Sequence, residues 1–354
     1  MPRYSGPPVW GERATRPWHA LASPKVLADG LLLLVTLIWG STFVLVQQAV
    51  ERWPVFAFLC LRFVLATAVL CLLFGRRLRS LQPRMAAAGV VIGLFLFAGY
   101  AFQTVGLQYT SSSKAGFITG LSVVIVPLFS ALVLKQVPER QALLGVALAT
   151  IGLALLTLGR DLTPARGDLI VLGCAFCYAL HITAVSRYAP QTDALALTIV
   201  QVAVVAIASG VAAALGGDWH SVLRAAHGWQ SVPVDVLGAA AFTGVLGTAL
   251  AFAVQNAVQS WTTATHTALI FAAEPVFAGL FGYWLAGDRL TSWALVGCAL
   301  ILLGMLVAEL HHDRATLSGM NEALTTERAE HVEESHVDSA LSAVRVESDS
   351  RRTE

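Results

Sequence analysis

The sequence predicts an all-α integral membrane protein with ten transmembrane helices, arranged as two inverted five-helix repeats. Three observations support this prediction. Of the 354 residues, 56% are hydrophobic and only 13% are charged, apolar runs of about 20 residues recur along the chain, and the two halves share marks of internal repetition. Soluble domains carry roughly 25% charged residues, so most side chains here cannot face water. The mean hydropathy of +0.69 indicates the same, and a lipid bilayer is the expected solvent.

Short polar breaks separate the apolar runs and mark their ends. In chain order, breaks with at least two charged residues include 51–54 after the first run, 76–79 after the second, 138–140 after the fourth and 287–289 after the ninth. Loops this short leave little room for an extramembrane domain. The predicted spans are 28–48, 54–74, 85–106, 115–134, 141–158, 168–188, 194–215, 233–255, 263–286 and 291–309.

An even number of spans puts both ends of the chain on one side of the membrane. If that side is cytoplasmic, its segments hold 12 basic residues and the opposite loops hold 6, which favours cytoplasmic N- and C-termini. This count depends mainly on the N-terminal segment. Arginine greatly outnumbers lysine, 20 to 3, which is typical of GC-rich bacterial genomes. We therefore expect a multi-pass protein of a bacterial cytoplasmic (inner) membrane.

The chain divides into four parts. Residues 1–26 are predicted to be a cytoplasmic N-terminal segment, 27–158 the first five-helix repeat, 168–309 the second repeat, and 310–354 a disordered cytoplasmic tail. The tail carries five basic and ten acidic residues, whereas the rest of the chain carries 18 and 12. A charged segment this poor in aromatic residues cannot bury enough apolar surface to fold alone. The sequence shows no basic patch of the kind that binds nucleic acid.

Internal repetition relates 99–127 to 247–275 without a gap. Six identities fall in this alignment, among them Gly99/Gly247, Thr119/Thr267 and Pro127/Pro275. Each half then contains two glycines seven residues apart, Gly145 and Gly152 in the first and Gly297 and Gly304 in the second. Earlier in each half, Trp39 matches Tyr178 at an offset of 139 residues. Arg62 matches Gln201 at the same offset. An odd number of spans in each half inverts the second copy across the membrane, as in inverted-repeat transporters.

With these residues in view, the sequence resembles the EamA-type transporters of the drug/metabolite transporter superfamily. The marks are "LIWGSTF" (Leu37–Phe43), Arg62, Pro127 ahead of Glu139, "EPVFAGLFGYWLAGDRL" (Glu274–Leu290), and the glycine-spaced last span of each half. The resemblance covers about residues 27–309. Two positions depart from the family pattern: Tyr178 with Ala179 stands where a Trp-Ala pair is frequent, and Asp288 stands where glutamate is usual.

The resemblance implies membrane transport of a small organic metabolite. Because the family handles amino acids, sugars, nucleotide-type metabolites and drugs, the resemblance does not identify the substrate. The expected function is efflux of amino-acid-like compounds or drugs by alternating access. The alternative is a passive facilitator or channel, or an importer for a sugar or nucleotide precursor. No enzyme is expected, because the sequence has no HExxH motif and no GxSxG motif with partners.

Two charged residues lie near the middle of predicted spans, where a charge is costly and usually faces a bundle interior or a cavity. At 1.5 Å per residue, Arg62 lies roughly 12 Å and Glu274 roughly 16 Å from the start of its span, so their depths would allow an ion pair. Glu274 is predicted to be the partner of a substrate ammonium group or a proton carrier. The alternative is a structural partner for Arg62 or for a backbone amide near Pro275. For Arg62 itself, a structural role is favoured.

Other candidates are polar or aromatic side chains inside the spans. Trp39 and Tyr178 could wall a pocket from opposite halves, and His266 lies eight residues before Glu274, hence roughly on the same helical face. Pro127 and Pro275 each remove a helical hydrogen bond and are expected to kink their spans. Gln255 and its neighbour Asn256 lie at a predicted span end, where solvation at the membrane interface would explain them. The candidates for substrate binding or coupling, beside Glu274 and Arg62, are Trp39, Thr42, Thr119, Tyr178, His181, Gln201 and His266; Tyr100 and Gln103 are further aromatic and neutral polar side chains within spans.

The five cysteines all lie in apolar segments. Cys174 and Cys177 have the CxxC spacing, but neither a second pair nor a flanking histidine completes a zinc set, so packing is the expected role. We predict no metal and no cofactor, with proton coupling through Glu274 left open. The expected partners are a small-molecule substrate and the lipid bilayer, and a homodimer is left open.

Overall fold

The computed structural model of this chain describes residues 24–110, 112–157, 166–260, 262–281, 283–284, 291–293 and 295–307. Over these residues every regular element is helical. Several sequence-based predictions fall outside them: most of the N-terminal segment, the tail 310–354, and the break 287–289 with Asp288.

In the first half, a 3-10 turn at Gly75–Ser80 extends the second helix and a π-helical turn at Ser130–Leu134 extends the fifth. The helices of this half are α1 (Pro24–Arg52), α2 (Val55–Phe74), α3 (Pro83–Gly106), α4 (Ser112–Gly120), α5 (Ser122–Phe129) and α6 (Arg140–Thr157).

In the second half, a π-helical turn at Val245–Leu250 joins two helices, and 3-10 turns occupy Ala189–Gln191 and Trp229–Ser231. The helices are α7 (Arg166–Tyr188), α8 (Ala194–Leu215), α9 (Trp219–His227), α10 (Val234–Gly244), α11 (Ala251–Gln259), α12 (Ala264–Phe271), α13 (Glu274–Phe281) and α14 (Leu295–Val307).

Eight helical stretches of this structure are long and apolar enough to cross a membrane. They coincide with the first four predicted spans and with the sixth to the ninth. Two further apolar stretches are shorter, Arg140–Leu155 in α6 and Leu295–Val307 in α14, and they coincide with the fifth and tenth predicted spans. The chain is therefore an all-helical, multi-pass integral membrane protein.

Three of the predicted spans are composite rather than continuous. The fourth span is interrupted at Leu121, between α4 and α5, and Pro127 lies inside α5. The ninth is interrupted at Ala272 and Ala273, just before Pro275, which has no N–H to continue the helical ladder. The eighth passes through the π-helical turn between α10 and α11. Interruptions of this kind are tolerated in a membrane where the protein itself surrounds the freed backbone groups.

The segment between α8 and α10, which lies between two predicted spans, contains the short helix α9. Its Val222 and Ala225 are partly buried and pack against the core, while Arg224 and His227 are exposed. Trp219 at its start is 44% exposed. A helix with one apolar and one basic face suits the membrane–water interface, and nine residues are too few to appear in a span-length hydropathy pattern.

Local sequence explains where some helices begin. Pro83 stands at the start of α3, where its missing N–H is not needed. Asp193 caps α8: its carboxylate accepts hydrogen bonds from the backbone N–H of Leu195 at 2.9 Å and of Ala196 at 3.2 Å. The same carboxylate lies 2.8 Å from Arg77, which follows α2, so this pair ties the end of α2 to the start of α8.

The core lies between the helices of the two halves. The helix α2 packs against α8, α3 packs against α7 and α8, and α1 packs against α11 and α13. Fully buried side chains at these contacts include Phe58, Leu59, Phe63 and Leu96. Since α1, α2 and α3 contact mainly helices of the other half, the two halves form one packed unit.

The last helix of each half contacts the other through glycines. A Cβ atom added at Gly152 of α6 would lie 2.6 Å from the carbonyl oxygen of Gly297, and one added at Gly304 of α14 would lie 2.6 Å from that of Gly145. Atoms cannot approach this closely, so only glycine permits the packing, as is frequent for membrane helices in close contact. These are the four glycines that the repeat pattern singled out.

Candidate functional site

A cavity with about 690 Å³ of empty volume lies between the two halves. The helices α1 to α5 border it on one side, and α7, α11, α12 and α13 border it on the other. Its walls are formed by Trp39, Thr42, Phe43, Val46, Arg62, Leu96, Tyr100, Gln103, Leu107, Thr119, Gly120, Ser122, Tyr178, His181, Ile182, Phe252, Gln255, Phe271 and Glu274.

Most of the residues that the sequence singled out as site candidates line this one cavity. The side chain of Gln201 lies behind the wall, hydrogen-bonded to His181, and His266, Pro127 and Pro275 are outside the lining. The candidates that line the cavity are Trp39, Thr42, Arg62, Thr119, Tyr178, His181 and Glu274.

Arg62 is held in the wall by contacts from three elements. It is 2% exposed. Its Nε donates a hydrogen bond to Thr248 Oγ1 at 2.9 Å, and its Nη2 donates one to Tyr100 Oη at 3.2 Å. The guanidinium carbon lies 4.7 Å from the centre of the Tyr100 ring and 5.4 Å from that of Phe63. Two of its three nitrogens are therefore engaged within the protein.

Glu274 is the first residue of α13 and follows the interruption of the ninth span. Its side chain is partly exposed, and it lines the cavity. Within the described part of the chain its carboxylate has no hydrogen bond and no ion pair, so the ion pair with Arg62 that their similar depths would allow does not form. Arg62 and Glu274 lie at similar depths, but they do not pair, because Arg62 points toward Tyr100 on α3 and Thr248 on the π-helical turn.

Aromatic rings cover much of the wall. Trp39 of α1 lies 5.3 Å from Phe252 and 4.9 Å from Phe271, measured between ring centres. Tyr100 lies 5.6 Å from Tyr178 in an edge-to-face arrangement. Trp39 Nε1 donates a hydrogen bond to the backbone oxygen of Gly247 at 2.8 Å, which fixes the plane of its ring.

Hydrogen bonds also fix the neutral polar groups of the wall. His181 Nε2 and Gln201 Oε1 are 2.8 Å apart; because an amide oxygen only accepts, the histidine nitrogen is the donor. Gln103 Nε2 donates to Thr119 Oγ1 at 3.3 Å, and Tyr178 Oη donates to Gln103 Oε1 at 3.4 Å. These side chains therefore help to position one another.

The expectation that interface solvation explains Gln255 and Asn256 is wrong. They are 1% and 0% exposed. Gln255 Nε2 donates to Gln259 Oε1 at 3.1 Å, and Asn256 Nδ2 donates to Thr198 Oγ1 at 2.7 Å. The helix α11 continues to Gln259, four residues beyond the predicted end of the span, and packs inside the bundle, so these amides lie within the protein.

His266 lies apart from the cavity. Its Nε2 is 2.8 Å from Asp29 Oδ1, so it links the start of α12 to α1. The prediction that His266 and Glu274 lie roughly on the same helical face assumed one continuous helix. The interruption at Ala272 and Ala273 separates the two residues onto α12 and α13, so their eight-residue spacing does not place both side chains in the cavity.

The cysteines are free thiols, and Cys174 is buried. The Sγ of Cys174 lies 3.7 Å from Thr119 Oγ1, so the first member of the CxxC pair packs behind the cavity wall. Among the described residues, no group of three or more His, Cys, Asp or Glu side chains could hold a metal ion.

Comparison with known families agrees with this architecture. The model of the EamA-like transporter family matches the chain twice, over residues 26–158 and 165–309. The chain belongs to the EamA-like transporter family. The two matched segments lie close to the two repeats predicted from the sequence, and each contributes helices to the cavity.

Relatives in this family carry transporter names. An uncharacterized transporter of Archaeoglobus fulgidus is 34% identical over 286 residues, which cover 81% of this chain and 87% of the relative. The inner membrane transporter YedA of Escherichia coli, also uncharacterized, is 26% identical, with 79% and 90% covered. A protein of known crystal structure is 21% identical to this chain and superposes on it with a TM-score of 0.65. The superposition covers 82% of this chain and 99% of the other chain, and at that identity it shows the shared fold alone.

Several residues that line the cavity or support its wall were not among the sequence-based site candidates. Tyr100 and Gln103 were recognised only as aromatic and polar groups within spans, although the repeated glycine beside Tyr100 marks a place of close packing. Thr248, which accepts from Arg62, follows the equivalent repeated glycine. For Phe252 and Phe271 the sequence offers no signal, because aromatic residues in apolar spans are frequent and only packing decides which of them meet.

Proposed function

We propose that this EamA-like protein is a secondary transporter that exports small organic metabolites, amino-acid-like compounds or drugs, by alternating access. The observation that carries the proposal is the cavity between the two halves, with the partly exposed Glu274 carboxylate in its wall. Inverted-repeat transporters bind substrate near the middle of the membrane, between their repeats. The transporter names of the relatives agree with this function.

Ten spans in two inverted repeats belong to the same proposal. Between α6 and α14, Gly152 lies against Gly297 and Gly145 lies against Gly304, so the two helices run antiparallel. These glycines are equivalent in the repeat alignment. This antiparallel contact between equivalent residues supports an inverted repeat, whose twofold axis would run perpendicular to the two helices.

Contacts at the starts of α1 and α7 are candidates for closing the two ends of the cavity. Asp29 of α1 contacts His266 of α12, and Asp168 of α7 accepts a hydrogen bond from Thr110, which follows α3. The two aspartates stand 139 positions apart, the offset that relates α1 to α7. In an inverted arrangement they lie on opposite faces of the membrane. Breaking one contact while the other persists would open the cavity to one side at a time.

The distribution of basic residues and the name of a relative support a membrane location and an orientation for this protein. The excess of basic residues on one side supports cytoplasmic ends, and the name of YedA supports a bacterial inner membrane. Glu274 is the candidate for proton coupling, because a carboxylate inside a membrane cavity can alternate between a proton and a substrate.

The test has two stages. Growth media of cells with and without the gene are compared by metabolite profiling, and accumulation of a small organic compound outside the expressing cells is expected. Purified protein is then reconstituted in vesicles with that compound, and a pH gradient is imposed. We expect Glu274→Gln to abolish gradient-driven flux, because an amide cannot carry a proton at these pH values.

The matched control is Glu51→Gln, which removes an exposed carboxylate at the end of α1 and should leave flux unchanged. Undiminished gradient-driven flux in Glu274→Gln would rule out its role in coupling. Unsaturable, channel-like conductance in planar bilayers would overturn the alternating-access proposal in favour of a passive pore.

A further inference from the structure

We infer that the cavity recognises the ammonium group of an organic amine with an aromatic or apolar body, and that it needs no carboxylate on that ligand. The inference rests on the proposed transport function and narrows its substrate class from amino-acid-like compounds or drugs to organic cations.

The first argument is the unequal availability of the two charges in the wall. Arg62 is 2% exposed, and two of its nitrogens donate to Thr248 and Tyr100. Glu274 is partly exposed and has no hydrogen bond or ion pair with another described residue. A ligand in the cavity therefore meets the Glu274 carboxylate, which has no such partner, and the Arg62 guanidinium, which is already hydrogen-bonded within the protein. An uncompensated charge in a membrane interior is costly, and a cationic ligand would offset that cost.

The second argument is a free acceptor on Gln255, whose orientation follows from its neighbours. Gln259 Nε2 lies 2.6 Å from the backbone oxygen of Ile182, which can only accept, and 2.7 Å from Ser186 Oγ. Gln259 must therefore turn its Oε1 toward Gln255, 3.1 Å away, and Gln255 must donate with its Nε2. This leaves Gln255 Oε1 buried and without a partner among the described residues, on a side chain that lines the cavity.

A buried acceptor without a partner costs about 1–3 kcal/mol. The N–H groups of an ammonium ion are donors only, so they match both the Gln255 oxygen and the Glu274 carboxylate, whereas a ligand carboxylate matches neither. The available groups of the cavity therefore favour a ligand that donates hydrogen bonds and carries positive charge.

The third argument is the aromatic wall. Trp39, Tyr100, Tyr178, Phe252 and Phe271 all line the cavity, and each lies within 6.2 Å of another ring, centre to centre. Aromatic faces attract organic cations through their quadrupole and also bury the apolar body that carries the charge. Since no metal-binding group of side chains occurs in the described part of the chain, the expected cation is organic rather than a bare metal ion.

The test measures binding to the purified full-length protein in detergent by isothermal titration calorimetry. Three probes share one phenylethyl body: 2-phenylethylamine is a cation, phenylalanine is a zwitterion, and 2-phenylethanol is neutral. We expect the amine to bind on the order of tenfold or more tightly than the alcohol, because a hydrogen bond to a charged group is lost. We also expect the amine to bind more tightly than phenylalanine, because Glu274 repels the added carboxylate. Equal or tighter binding of the alcohol or of phenylalanine would overturn the inference.

Variants identify the groups responsible. Glu274→Gln should weaken binding of 2-phenylethylamine by about tenfold or more and leave that of 2-phenylethanol unchanged. Glu274→Asp, which keeps the charge, should retain part of the preference for the amine. The exposed-site control Glu51→Gln should behave as the wild type. Elution as a monodisperse species with an unchanged melting temperature shows that each variant is folded; if a folded Glu274→Gln keeps full amine affinity, the inference is wrong.

Measurements of binding and of transport distinguish the cation inference from the transporter proposal. If export profiling finds that the protein moves only anions or zwitterions, the cation inference fails while the transporter proposal stands. If 2-phenylethylamine binds as expected but reconstituted vesicles move no organic compound, the recognition site stands and the transport function fails.

Discussion

At the scale of single residues, Arg62 joins three elements at the cavity wall. Its guanidinium group reaches Tyr100 on α3 and Thr248 on the π-helical turn, and it lies over the ring of Phe63 on its own helix. The planar guanidinium presents five N–H donors in a fixed fork and stacks on aromatic faces, which the compact ammonium group of lysine does not reproduce. These contacts are consistent with the structural role that the sequence favoured for Arg62, which stays a prediction.

Replacing Arg62 should lower stability more than it changes ligand recognition. For Arg62→Gln, and to a lesser degree Arg62→Lys, we expect the free energy of unfolding to fall by about 1–3 kcal/mol, since a buried tyrosine hydroxyl and the ring contacts lose their partner. Thermal unfolding in detergent measures the loss. The matched control is Arg79→Gln, an exposed arginine, which should stay within about 0.5 kcal/mol.

The competing interpretation of Arg62 makes a different prediction. If Arg62→Gln melts at the wild-type temperature but no longer binds or exports substrate, then Arg62 contacts the substrate directly and the structural assignment is wrong.

At the scale of elements, interruptions of helices position side chains of the candidate site. The break at Ala272 and Ala273 makes Glu274 the start of a new helix, and the π-helical turn carries Thr248 toward Arg62. Such turns are frequent at functional sites, because they redirect a side chain without ending the span. The capping contacts at helix ends, in contrast, serve stability.

Asp193 offers a test at this scale. Asp193→Ala should cost about 1 kcal/mol by removing the cap of α8, and Asp193→Asn should retain most of that contribution, because asparagine also caps. The ion pair with Arg77 adds little, since the Arg77 side chain is 52% exposed. Thermal unfolding of the three proteins at neutral pH checks this order, and equal losses for both variants would contradict it.

The same residue predicts a pH dependence. Burial raises the pKa of Asp193, but the hydrogen bonds from Arg77 and from the α8 backbone outweigh burial, so the pKa lies below its ordinary value of 3.8. Because the folded-state pKa is the lower one, the contribution is fully present above the ordinary value and is lost as the pH falls through the folded-state pKa. The stability difference between the wild type and Asp193→Asn should therefore shrink below about pH 4.

At the scale of the whole molecule, the two halves enclose one asymmetric site. The cavity takes walls from both halves, but the carboxylate of Glu274 corresponds to Val126 in the repeat alignment, and Arg62 corresponds to Gln201. In the proposed inverted repeat, this unmatched acidic group would give the cavity a single candidate site for a positively charged ligand.

The glycine contact between the halves can be tested directly. Gly152→Ala and Gly304→Ala should each destabilise the protein by about 1–3 kcal/mol, because the new Cβ would lie 2.6 Å from a carbonyl oxygen of the opposite helix. The control is Gly30→Ala in α1, where the added Cβ meets nothing within 4 Å. That change should be neutral or stabilising by up to about 1 kcal/mol. Similar melting temperatures for all three variants would show that the helices are not in close contact.

How far the sequence could predict this protein depends on the range of the interactions involved. The spans follow from local composition, so eight of them coincide with helices long enough to cross the membrane. Many site candidates, such as Glu274 and Trp39, were found because a charge or a repeated aromatic residue is unusual within a span. The burial of Gln255 and the position of His266 were missed, because both depend on where a helix ends or breaks.

Composition by itself determined the solvent of this protein, because 13% charged residues cannot cover its surface in water. The sequence also determined the helical class and the family, since apolar periodicity and short motifs are properties of neighbouring residues. Only the tertiary structure decided the partners of each polar side chain. Arg62 contacts residues 38 and 186 positions away, and which residues meet across such separations is set by the packing of whole helices. That packing engages Arg62 and leaves the Glu274 carboxylate available in the cavity.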